Sequence, residues 1–177
     1  MSRHDIDYAS DVLAKARKSQ ASVNELRSAL QAGQEIARFA PIRWRRRGDL
    51  DRYEKAAAPI DRALRNTRVL ARRALSALRD DEPVPRPLPG MLEELAGAVV
   101  LLRDELASGT EPLQSREATR AVAKRSTVEL LGEGDFSMQV VVLQVRSIAV
   151  DLLEATGLSR TEASAALPPL HPDEKGD

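Results

Sequence analysis

The sequence predicts an all-α fold: a helical bundle of about five main helices, led by a long antiparallel pair, 5–39 and 49–79, and closed by a short C-terminal helix. Three observations carry that prediction. Apolar residues recur at alternating steps of three and four through five segments, the spacing of one helix face. Aromatics make up only 3% of the 177 residues while 42% are hydrophobic, so the core must be built from Leu, Val, Ile and Ala. The ten prolines, Pro59 excepted, gather outside or at the ends of the periodic segments.

The first segment, 5–39, places Val12, Ala16, Ser19, Val23, Leu26, Leu30, Gly33 and Ala37 on one stripe, small enough to let another helix approach closely. Ala40-Pro41 stops it, because the residue before proline disfavours the α region. A basic connector follows, with Arg43, Arg45, Arg46 and Arg47 around Trp44, and Asp49 can cap the second helix. That helix runs to about residue 79 with Leu50, Tyr53, Ala57, Ile60, Leu64, Thr67, Ala71, Ala74 and Leu78 on its stripe; Pro59 predicts a kink, or a short helix ending near Ala58.

Pro83, Pro85, Pro87 and Pro89 mark a stiff, exposed loop. A third helix spans about 91–107, with Leu92, Leu95, Val99, Leu102 and Leu106 in register, and Val99 is expected in the core. A fourth runs over about 112–131 until Gly132-Glu133-Gly134 ends it, and Asp135 can cap the fifth. The fifth, 136–155, is the most hydrophobic. Its run Val140 to Val145 has strand composition, but Val141, Val145, Ile148, Leu152 and Ala155 keep helical spacing far beyond strand length, so the helix is placed at the bundle centre. Ser159-Arg160-Thr161-Glu162 is a capping-box pattern opening the short last helix. Residues 1–167 read as one domain and 168–177 as a disordered tail.

Composition narrows the chemistry. There is no cysteine, and the two histidines, His4 and His171, sit near the ends, so no metal site, cofactor or catalytic residue is assigned. Acid pairs such as Glu93-Glu94 diverge on a helix and make no general acid/base pair, and the chain reads as non-enzymatic. The longest uncharged run inside a periodic segment, Phe136 to Val145, is shorter than the roughly 20 residues a span needs.

Net charge is zero but bipolar: residues 1–80 carry 18 Lys+Arg and 10 Asp+Glu, and residues 81–177 carry 9 and 17. The halves either attract each other within the fold or offer a basic surface to phosphate or anionic lipid. The candidate binding residues are Arg43, Trp44, Arg45, Arg46 and Arg47: arginines fork onto phosphate and tryptophan suits the headgroup layer. Nucleic acid could use the same chemistry, but a single cluster is a weak signal for it. A helix corner with solvated arginines is the plain alternative. Arg62, Arg65, Arg68, Arg72 and Arg73 read as a solvated face, with Asp61 and Arg65 an i,i+4 pair. Arg146, inside the most apolar helix, calls for a carboxylate, several carbonyls or a place at the bundle edge.

Taken together, Ala37 to Arg45, Leu50 to Tyr53, Ile60 to Ala74 and Val145 to Leu158 resemble the C-terminal cytoplasmic region of fusaric-acid-resistance-type (FUSC, aromatic acid exporter) transporters, over most of residues 10–167. The resemblance implies a cytoplasmic domain at the inner face of the plasma membrane, supporting assembly or gating. Its partners would be the membrane-spanning part of the same transporter or other subunits, with homo-oligomers and an anionic membrane surface as further contacts. The membrane helices that precede the domain in such transporters are absent here, and no substrate residue carries over. The other reading is a stand-alone cytosolic helical interaction module that binds a partner protein or nucleic acid.

Overall fold

The computed structural model describes residues 44–170, Glu133 excepted, together with Ala14. The first predicted helix, 5–39, its pairing with the second, Arg43 and residues 171–177 lie outside the described residues. Among those described, the fold is an all-α helical bundle, as the spacing predicts: α1 Trp44–Arg79, α2 Leu88–Ser108, α3 Leu113–Arg125, α4 Glu129–Gly132, α5 Phe136–Ala155 and α6 Arg160–Ala165.

Helix α5 is the hub. It packs along α1 over the longest interface, takes α3, α4 and α6 on other sides, and α2 packs mainly on α3. Val141, Val142, Val145, Ile148, Ala149 and Leu152 belong to a core completed by Ala56 and Ala63 of α1, Met91, Leu95 and Leu102 of α2, and Val122 and Ala123 of α3. By length and composition α5 could cross a membrane, yet 67% of its most apolar window is buried inside the bundle. The neighbours that cover it make it a core helix of this fold.

Several boundaries differ from the sequence expectation. Helix α1 begins at Trp44, so the basic stretch is its first turns and Asp49 lies inside it. Nothing from Trp44 to Asp49 forbids α geometry; Gly48 only lowers propensity, by about 1 kcal/mol. The helix also continues through Pro59, which is buried. One missing backbone hydrogen bond there is outweighed by the long packing against α5.

The proline loop is not wholly exposed: Pro85 and Leu88 are fully buried, and α2 starts at Leu88 because Pro89 fits a first turn, where no N–H partner is needed. The core face of α2 runs through Leu88, Met91, Leu95, Ala98, Leu102 and Leu106: Leu95, Leu102 and Leu106 lie on the expected stripe, but Met91 and Ala98 take the places of Leu92 and Val99, and Val99 is 46% exposed. The fourth predicted helix is two: α3 ends at Arg125, Ser126 turns back to donate its Oγ to the Ala123 carbonyl at 2.6 Å, and α4 is a single turn. Gly109 ends α2 in the left-handed region at φ 70°, its N–H bonded to the Glu105 and Leu106 carbonyls. The start of the predicted tail is tied down, since the Pro168 carbonyl accepts from Arg146 at 2.6 Å.

Candidate functional site

The buried charged side chains of the bundle hold it together. Asp151, 1% exposed on α5, accepts from Arg62 Nε at 2.9 Å, Asn66 Nδ2 at 2.8 Å and Arg160 at 3.2 Å. Arg62 and Arg160 also reach Glu154. This five-residue network rivets α1 and α6 onto α5. A carboxylate so buried and so fully bonded is a structural anchor, because removing any partner strands a charge. Arg62 therefore leaves the solvated face expected for it, while Asp61 and Arg65 do pair, at 2.5 Å. The basic and acidic halves of the chain attract one another at this point.

Helix ends are capped from a distance. Glu105 of α2 accepts the Gln114 and Ser115 backbone N–H groups at 2.8 and 3.2 Å, closing the N-terminus of α3. Glu82 does the same for α5, accepting from Ser137 and Met138 at 3.2 and 2.9 Å, in place of the expected cap Asp135, which makes no side-chain cap. Burial tends to raise the Glu82 carboxyl, but the hydrogen bonds from Met138 and Ser137 and the charge of Arg73 outweigh it and hold it below the ordinary glutamate value. Arg116 closes the other end of α5 by donating to the Thr156 carbonyl at 2.7 Å. Arg146, 7% exposed, meets two carbonyls, Ser126 and Pro168, and burial pushes its guanidinium down from the usual value. Ser159 and Glu162 form the full capping box of α6.

Of the cluster selected from the sequence, four residues fall within the described helix. Trp44, Arg45, Arg46 and Arg47 occupy successive positions in the first turns of α1; Arg43 precedes the described residues. Positive charge at a helix N-terminus opposes the macrodipole, typically by about 0.3–1 kcal/mol per group. Among the described residues no three His, Cys, Asp or Glu side chains gather to hold a metal.

The feature that sequence reading missed is an apolar groove of about 460 Å³. Tyr53, Ala57, Ile60, Leu64 and Thr67 of α1 form one wall, Val99, Leu102, Leu106 and Ala107 of α2 the other, and Ile148 and Leu152 of α5 the floor. It exists because α1 and α2 barely touch each other. The signal was present: the wall on α1 is the central part of the stripe read from the sequence, broader than α5 alone can cover.

The fold and its charge network thus define a helical bundle whose buried charges are hydrogen-bonded and which, among the described residues, carries an open apolar groove. No family model matches the chain, and no solved structure does. It is similar to an uncharacterized protein of Corynebacterium glutamicum, 33% identical over 171 residues, an alignment that covers 93% of this chain and 44% of that protein. The chain spans less than half the length of the relative it matches.

Proposed function

We propose that this bundle is the cytoplasmic, non-enzymatic domain of a fusaric-acid-resistance-type small-molecule exporter, acting in assembly or gating at the inner face of the plasma membrane. The observation that carries the reading is the coverage: nearly all of the chain matches a relative more than twice its aligned length, which leaves room there for a separate membrane part. The resemblance of residues 10–167 to the cytoplasmic region of such exporters agrees with it. The groove and the arginine-rich start of α1 are features such a domain would use against other parts of an assembly.

The test is on the relative. Expressed whole in its own host, it should sediment with membranes. Deleting the segment equivalent to 10–167 should leave it there but abolish tolerance to aromatic acids. A full-length relative found in the soluble fraction would refute the reading. For the arginines, the purified domain should co-sediment with anionic vesicles at low salt, and release in 0.5 M salt, where the Debye length is only about 4 Å. Binding should be lost when Arg43, Arg45, Arg46 and Arg47 are all changed to Gln.

A further inference from the structure

We propose that the groove is the seat of this chain's own segment 12–37, lying antiparallel to α1 in one defined register and completing a four-helix layer of that segment, α1, α2 and α5. The inference does not depend on the exporter reading, and either can fail alone.

The register comes from spacing on both sides. If the first segment ends at Phe39, as the sequence predicts, a four-residue turn over 40–43 would set Phe39 opposite Trp44, the first described residue of α1. Each step back along the first segment then matches one step forward along α1. Leu30 falls opposite Tyr53, Leu26 opposite Ala57, Val23 opposite Ile60, Ser19 opposite Leu64 and Ala16 opposite Thr67. These five α1 residues line the groove, together with Ala63. The five opposite them are consecutive members of the stripe read in 5–39. The two series coincide at five of the six α1 positions that line the groove, the sixth, buried Ala63, falling opposite Gln20, and a shift of one residue would break all five pairs.

Dimensions agree. Tyr53 to Thr67 and Ala16 to Leu30 are the same number of residues, about 21 Å of helix each. Small residues at 16, 19 and 57 suit the 8–10 Å separation, roughly, of packed helices. The groove is walled almost wholly by carbon, so an apolar helical stripe satisfies it and a polar occupant would not. Flanking charges are mixed: Asp11 comes opposite Arg72, and Lys18 opposite Arg65, whose guanidinium is already paired with Asp61.

The sequence has no cysteine, so introduced pairs report cleanly. Two in-register variants are Val23→Cys with Ile60→Cys, and Ala16→Cys with Thr67→Cys. The mismatched variant is Ala16→Cys with Ile60→Cys, out of step by about 10 Å. On mild oxidation of the full chain, both in-register pairs should close within one chain, at least tenfold faster than the mismatched pair. Disulfides between chains would show that a second copy fills the groove, and would overturn the proposal. Failure of both in-register pairs to close, with helix content unchanged, would overturn it too. Should a cysteine pair disturb folding, Leu26→Asp supplies the second measurement. Unseating the segment should expose the groove and raise binding of the apolar dye ANS several-fold. Unchanged dye binding would contradict the proposal.

Discussion

Helices α5 and α1 lie side by side along their length, yet they are finished to different degrees. Helix α5 is covered on nearly every side, by α1, α3, α4 and α6, and even its charged residues are enclosed: Asp151 by three donors, Arg146 by two carbonyls. Helix α1 buries Ala56, Ala63, Ala71, Leu75 and Ala77 but leaves Tyr53, Ile60, Leu64 and Thr67 beside a groove. The difference teaches that apolar content alone does not set burial. What sets it is how many neighbours the topology brings to each face, and α1 has a face the described bundle does not fill.

The largest expected effect is at the centre. Val145, with 0% exposure, should not accept Asp. An unpaired charge there should cost more than about 4 kcal/mol and abolish the cooperative melt. Val100→Asp, on the exposed side of α2, is the contrast and should move stability by less than about 0.5 kcal/mol. Next is Asp151→Asn, which leaves Arg62 and Arg160 short of their shared partner. By the scale of broken buried pairs it should cost about 3 kcal/mol in a urea titration. Gly109→Ala should cost about 1 kcal/mol, from the left-handed φ at the end of α2.

Smallest and most selective is Glu82→Gln. The Glu82 carboxyl is held lower in the fold than in the unfolded chain, so its stabilisation is present above the unfolded value and fades as pH falls through the folded one. Wild type should exceed the variant in stability at neutral pH. The two should converge in acid, below the ordinary glutamate range.

Much of this was legible beforehand, for reasons visible residue by residue. Both ends of α5 follow from Gly134-Asp135 on one side and Gly157 on the other, and α6 follows from its capping box. The face of α2 was misjudged because Val99 is more apolar than Ala98, and only the packing reveals that the smaller residue faces the core. The end of α3 carries no proline or glycine; Ser126 makes the break through a local hydrogen bond that competes with the helix. Nor could sequence give the groove, which depends on how little α1 and α2 touch each other. The long-range caps Glu82 and Glu105 were equally hidden, since carboxylates distant in sequence carry no local signature.

The direct test of the contrast between the two helices is native-state hydrogen exchange on the full chain, resolved by helix. Amides of α5 from Val141 to Leu153 should exchange slowest, only through global unfolding, with rates that respond to denaturant as the whole domain does. Faster, denaturant-independent exchange in α5 than in α1 would show that α5 is not the core of this fold.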